Sequence, residues 1–333
     1  MKFRSTTVLK IALILVIAGI LLFGTAVALA GGDLRKFSTV EEYMEKNYTV
    51  NAAKISSLVV SDIDNGINIQ PSPDDEIRIT YYENRKKSYD INISASGELS
   101  VICRSDMKWY DYIGIFNSDW YNTTVTILIP ESLSAEVKLN TSNGRIDVEN
   151  VNVDKFYAKT SNGSINLESV YIDGPVSLTS NNGRVSVNNT SSAGHFEIDT
   201  SNGAIKVENL TAGGKISADN KNGSINFQNV KADGAVLIKS SNGALIAKNT
   251  VANGNFEMNV SNGRIEIERI VGYDITLRSS NGSIKGTVIG STAEYSVVAR
   301  ASNGSVSAPS SSNGEKVLDI KTSNGAIKVE FEQ

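Results

Sequence analysis

The sequence is short of the residues that most often carry chemistry. One cysteine, Cys103, and one histidine, His195, stand in 333 residues. A single cysteine excludes an intramolecular disulfide, and with one histidine beside it there is no donor set for a zinc site. Cys103 therefore reads as a small buried apolar residue. His195 lies between Gly194 and Phe196 with no nucleophile signature near it. Hydroxyl-nucleophile catalysis needs an assembled general base, so His195 reads as an outward turn residue. No GxSxG, P-loop, HExxH or CxxC motif occurs, and no cofactor is expected. Basic excess is lacking too: 32 basic residues face 36 acidic ones, a net charge of -4. Nothing in that balance would hold a nucleic acid.

One long uncharged run is present. Lys2, Arg4 and Lys10 precede Ile11 to Ala30, IALILVIAGILLFGTAVALA. Twenty helical residues at ~1.5 Å each reach about 30 Å, the thickness of a bilayer's hydrocarbon. Basic residues before the run and none just after it orient this end inward and the rest of the chain outward. The expectation is a single-pass cell-membrane protein with its bulk extracytoplasmic. The rival reading is secretion after signal cleavage, with Ala28-Leu29-Ala30 before Gly31 as the cleavage site. Without those three basic residues the remainder carries 29 basic and 36 acidic side chains, net -7, which suits a solvated domain rather than one adsorbed on anionic lipid.

The rest of the chain repeats. TSNGRIDVENV (141–151) returns as TSNGSINLESV (160–170), and glycine recurs at Gly144, Gly163, Gly183, Gly203, Gly223, Gly243, Gly263, Gly282, Gly304 and Gly325. Steps of 19 to 22 residues make this an array. Two residues after every glycine stands Ile, Val or Leu, from Ile146 to Ile327, and polar residues alternate with the apolar ones. Period-two alternation defines a strand with one wet face. A second turn, at Gly174, Gly194, Gly214, Gly234 and Gly254, introduces a second alternating strand. Small or polar residues precede the next glycine by three (Thr160, Ser180, Thr200, Asn220, Ser240), and an asparagine column follows by six (Asn150, Asn189, Asn209, Asn229, Asn249).

Asn-Gly between strands is also a hairpin signal. A meander of some twenty strands would exceed the roughly ten at which open sheets curl or split, and would need a second layer to cover its apolar face. A solenoid needs none. The fold class is therefore all-β, a β-solenoid or parallel β-helix-like array of ~20 residues per coil behind an N-terminal transmembrane helix. Stacking at ~4.8 Å would make the regular array about 43 Å long. In the repeated turn, Asn143-Gly144, Asn162-Gly163, Asn202-Gly203, Asn242-Gly243 and Asn262-Gly263 read as structural corners. Glycine would supply positive φ, and each asparagine would bond to its stacked equivalents.

Five segments are expected: a cytoplasmic 1–10, the anchor 11–30, a linker 31–54, an N-terminal β region and cap 55–140, and the regular solenoid 141–333. The linker would hold a short helix from Phe37 to Lys46, with Ser38 or Thr39 as N-cap. Asp64-Asn65-Gly66, followed by Ile67 and Ile69, puts the first degenerate coil at 55–71. The open edge would lie near Val329 to Gln333, guarded by Lys328, Glu330 and Glu332.

INIQPSPDDEIRITYY, TVTILIPESLSAEVKLNTSNG and the run of strand-Gly-turn repeats behind one apolar segment resemble the bacterial "putative adhesin" domain of unknown function. More loosely, they resemble the toastrack domains of envelope-stress systems. That resemblance implies surface exposure and interaction with other proteins or the envelope, and it brings no catalytic residue.

Three places were weighed for function. Asp62-Ile63-Asp64-Asn65-Gly66 resembles a calcium loop, but glycine stands fifth rather than sixth and the distant glutamate is missing. Asp147 with Glu149, or Glu266 with Glu268, could flank a sugar as acid and base. They read more simply as a wet strand face with Arg145, Arg264 and Lys285 as cross-coil partners. MKWYDYIGIFNSDWYN (107–122) gathers Trp109, Tyr110, Tyr112, Phe116, Trp120 and Tyr121, residues suited either to a ligand-binding loop or to plugging a thin core. The expected function is a non-enzymatic, adhesin-like envelope interaction protein. Its partners would be the membrane and an envelope protein or glycan. The alternatives are a sensor or accessory ectodomain of an envelope stress response and a carbohydrate-active β-helix.

Overall fold

The computed structural model describes residues 5–32, 43–106 and 123–333. A helix runs Ser5–Leu29, and its stretch Val8–Leu29 is long and apolar enough to cross a membrane, as a signal sequence also is. Among the described residues the regular elements after it are all strands apart from the short 3₁₀ turn Ala52–Lys54.

Two sheets of 16 and 13 strands face each other, and the chain crosses between them twice per coil. Strands one coil apart pair parallel and in register: Ile165 with Val185, Val185 with Ile205, Ile205 with Ile225, Ile225 with Leu245. On the other sheet Phe196 lies beside Ile216 and Ile216 beside Val236. A period-two strand that repeats every ~20 residues must stack like on like. The inward columns are therefore continuous apolar files, with Phe156, Phe196, Phe227 and Phe256 fully buried among Ile, Leu and Val. At ~25 cal/mol per Å² of apolar surface, each buried Ile or Val is worth about 2 kcal/mol, before the entropy of ordering the chain is set against it.

At both ends the coils stack out of sequence order. The coil made by Ser57–Ser61 and Ile67–Pro71 lies between the later coil Glu98–Ser105/Val125–Ile129 and the first regular coil Glu136–Thr141/Ile146–Glu149. Antiparallel strands close this end: Glu76–Glu83 on Val125–Ile129, Met44–Asn51 on Glu76–Glu83, and Lys87–Ile93 on Glu98–Ser105. At the other end, Lys316–Asn324 and Ile327–Glu332 insert between Ile275–Asn281/Ile284–Ile289 and the outermost coil, Tyr295–Asn303/Val306–Ser307. The physical reason lies in the side chains. The inserted coil brings Leu318, Ile320, Ile327 and Val329, all at most 1% exposed, whereas the outermost coil sets the smaller, partly buried Val297 and Ala299 in register with Leu318 and Ile320. Tyr295 closes the core, stacking on Phe331 and donating its hydroxyl to the Gly272 carbonyl at 2.5 Å.

Three expectations are corrected here. Met44 to Lys46 begin a strand, not the end of a helix, and residues 37–42 lie outside the described residues. The open edge is Tyr295–Asn303 with Val306–Ser307, not Val329 to Gln333. Val306 is accordingly 45% exposed, although its column is buried elsewhere. Positive φ belongs to the asparagine column, with Asn150, Asn189, Asn209, Asn229 and Asn249 at +46 to +54° and Ser169 and Arg269 in the same place. In the turn column only Gly243, Gly304 and Gly325 have positive φ. The other glycines are needed because a Cβ on Gly163, Gly183 or Gly203 would run into the carbonyl of the glycine one coil earlier.

Candidate interaction surface

Hydrogen-bond ladders tie the coils at their corners. Asn162 donates to Asn143, Asn182 to Asn162 and Asn202 to Asn182, each at 2.7 Å. The file continues through Asn222, Asn242, Asn262 and Asn281 to Asn324 and Asn303. It ends on a carboxylate, because Asn143 donates to Asp64 at 2.6 Å. The left-handed asparagines form a second ladder, Asn249 to Asn229 to Asn209 to Asn189, which ends on Glu168. Both run the same way, so their aligned amide dipoles point positive ends at an anion. Beneath the first ladder, buried Thr160 accepts the Gly163 N–H at 3.0 Å and donates to the Gly144 carbonyl at 3.2 Å; Ser180 and Thr200 repeat this. The small polar column thus satisfies backbone groups that a stacked core would otherwise strand.

Of the acidic candidates, Asp147, Glu266 and Glu268 are similarly occupied, and Glu149 is exposed. Arg145 pairs with Asp147 at 2.6 Å and Arg264 with Glu266 at 3.4 Å within their own strands, and Lys285 reaches Glu266 across coils at 3.7 Å. Only the last is the cross-coil pair expected. Glu268 pairs with Lys248 at 2.8 Å. His195 is exposed and accepts the Lys215 N–H at 3.0 Å, a link to the next coil.

Asp62 turns out to be a buried anchor. Its Oδ1 accepts the N–H groups of Ile63, Asp64 and Asn65 at 2.7 to 3.0 Å and lies 3.5 Å from the Lys87 ammonium; the two side chains are 0% and 3% exposed. Tyr89 donates its hydroxyl to Oδ2 and accepts from Asn65, whose Oδ1 takes the Thr123 hydroxyl at 2.8 Å. Burial, reinforced by Asp62, drives the Tyr89 hydroxyl far above its ordinary value and pushes the Cys103 thiol up to about 11. This network lies at the root of the aromatic segment, which leaves after Asp106 and returns at Thr123. Trp109, Tyr110, Tyr112, Phe116, Trp120 and Tyr121 themselves lie outside the described residues.

A groove of about 650 Å³ crosses the coils nearest the open edge. One wall is a file that the strand register places side by side, in the order Lys239, Asn259, Arg278, Lys321, Arg300. Two residues on stand Ser241, Ser261, Ser280, Ser323 and Ser302, all exposed. Asp319 accepts from Arg278 at 2.9 Å and Lys321 at 3.1 Å. Burial works against its charge, but those two cations hold its carboxyl below the usual range. Its second oxygen and the Asn259 side-chain oxygen are buried without a partner. Lys239 is 3.6 Å from Glu257, and Arg300 forms no ion pair among the described residues. Asp219 marks the other end, its carboxyl raised by burial and by Asp199. Sequence reasoning missed this groove. Its signal was the outward position four before each glycine, which changes from Asp199 and Asp219 to Lys239, Arg278, Arg300 and Lys321.

The fold and surface define a β-solenoid with an apolar N-terminal helix, ladder-bonded corners and one polar lateral groove. Residues 55–330 match the family model described as Toastrack DUF4097, and the chain belongs to that family. No curated protein matches. Among solved structures the chain is similar to a "putative adhesin" of Parabacteroides merdae, at 12% identity and TM-score 0.42, covering 86% of this chain and 96% of that one. It is also similar to a "putative cell adhesion protein" of Clostridium sporogenes, at 11% identity and TM-score 0.21, covering 87% and 100%. A "putative lipid binding protein" of Parabacteroides distasonis matches at 14% identity and TM-score 0.24, covering 86% and 97%.

Proposed function

We infer that this is a non-enzymatic, membrane-anchored, extracytoplasmic interaction protein of the adhesin type, which acts by presenting the flank and far end of the solenoid. The observation that carries this reading is the rod itself. From Glu136 to Ile289 coils of ~20 residues follow one another without the long loops that would wall a catalytic cleft, and outward carboxylates such as Asp147, Glu168 and Glu268 are tied to arginine, asparagine or lysine neighbours. Such a surface offers many weak lateral contacts rather than one reactive group. The apolar helix before it would hold the rod at the membrane, which raises its local concentration toward a partner on the same envelope.

The test is done in cells that make the full chain. A membrane-impermeant amine reagent should label the lysines of the solenoid in intact cells, and crosslinking should then capture envelope components. Labelling only after lysis would overturn the reading.

A further inference from the structure

The groove beside the open edge has the spacing and charge of a site for a linear polymer. Coils repeat every ~4.8 Å, so the file from Lys239 to Arg300 spans four steps, about 19 Å. A pyranose in an extended polysaccharide advances by nearly the same distance, so one sugar would fall opposite each coil. Among the described residues the serines offer a hydroxyl per step that makes no hydrogen bond to another side chain, and the file beside them on the same sheet face offers four cations and one amide. Glu257 and Asp319 offset part of that charge, while Arg300 keeps its charge unpaired. This excess stands out on a chain whose net charge is -4. With Asp219 counted as well, four cations against three carboxylates leave one net positive charge, centred on Arg300, and a local excess of one sign attracts ligands of the opposite sign.

We propose that this groove binds an extended anionic glycan, one acidic sugar to a coil or to every second coil, through Lys239, Arg278, Lys321 and Arg300 with the serine hydroxyls taking the sugar hydroxyls. The proposal rests on the extracytoplasmic reading above, since that is where such polymers occur. Flat aromatic stacking plays no part, because the groove walls hold none. Recognition is by charge and hydroxyl spacing, so affinity falls as salt is raised.

The test uses the full chain in detergent micelles with three probes: alginate as a linear polyuronate, pullulan as a neutral polymer, and phosphatidylglycerol vesicles. Alginate should bind in a salt-sensitive manner, and pullulan and the vesicles should bind at least tenfold more weakly. Arg300→Glu, at an exposed position with no ion pair to lose, should cost at least tenfold in alginate affinity. Ser261→Leu with Ser280→Leu should block the groove, both variants keeping the wild-type melting temperature. Equal binding of pullulan, tighter binding to vesicles, or wild-type alginate affinity in folded variants would each overturn the proposal. Surface labelling that succeeds while alginate fails would remove the groove assignment and leave the extracytoplasmic reading intact.

Discussion

At the scale of single residues, two positions that look alike in sequence do different work. Asn229 sits at φ +54°, where a side chain other than glycine or asparagine is strained, and it both donates to Asn209 and accepts from Asn249. Asn229→Ala should cost about 2 kcal/mol, the sum of left-handed strain and two exposed hydrogen bonds. Asn229→Gly keeps the backbone ease and should cost about 1 kcal/mol. Gly203 reverses that order of tolerance. Its φ is not positive, but a methyl there would press on the Gly183 carbonyl, so Gly203→Ala should cost about 2–3 kcal/mol by prising two coils apart. Urea titration of the three variants checks both statements, and equal losses for Asn229→Ala and Asn229→Gly would remove the strain argument. Cys103 gives a pH test. With its thiol raised to about 11, the reactive thiolate is scarce at neutral pH and gains tenfold per pH unit up to that value. Alkylation of the folded protein at pH 8 should be far slower than in urea, and equal rates would show that the thiol is not held in the buried network of Asp62, Lys87 and Tyr89.

At the scale of the turn and the coil, hydrogen bonding decides which asparagines age. An Asn-Gly pair deamidates when the glycine nitrogen attacks the side-chain carbonyl, which releases ammonia and forms a succinimide that water then opens. At four turns the nitrogen is engaged one coil outward, Gly243 donating to the Asn262 carbonyl, Gly263 to Asn281, Gly282 to Asn324 and Gly325 to Asn303, and Gly203 donates to the Thr200 hydroxyl. Gly304 belongs to the outermost coil and has no coil beyond it. Peptide mapping after mildly alkaline incubation should therefore find acid at Asn303 and at Asn313, outside the ladder, before Asn202 or Asn242. A uniform spread over the turns would contradict this. The order of the last coils is testable by crosslinking. Asn281 pairs with Asn324, and Asn324 with Asn303. In a Cys103→Ala background, cysteines at 281 and 324 lie one strand spacing apart, about 4.8 Å, within reach of a disulfide, whereas 281 and 303 lie about twice that. The first pair should oxidise and the second should not; the reverse result would restore sequential stacking.

For the whole molecule, the sequence made the columns legible but not their order. Ile146, Ile165 and Val185 announce a period of ~20 residues because identical burial selects identical side chains, and the solenoid follows from that. The inserted C-terminal coil escaped because its SNG turn at Asn324 fits the register beside Asn281 as well as the turn at Asn303 does. What separates them is the burial of Leu318 and Ile320 against Val297 and Ala299 at the same register positions, a comparison of volumes rather than of patterns. The groove was hidden for the same reason, since Arg278, Lys321 and Arg300 become neighbours in that order only after the insertion. Stacked repeats that touch only their neighbours lose structure from exposed ends inward. Here the exposed edge on the C-terminal side is not the end of the β-region's sequence. Amide exchange should accordingly be fast in Tyr295–Asn303 and Lys87–Ile93, at the edges of the 13-stranded sheet, and slow in Lys316–Asn324, one step inside, and Ser57–Ser61, two steps inside. The contrast between Tyr295–Asn303 and Lys316–Asn324 is the sharper, because simple fraying from the C-terminus predicts the opposite sign. If Lys316–Asn324 exchanges first, the terminal coil is an outer layer and the groove as assembled from Arg278, Lys321 and Arg300 does not exist in solution.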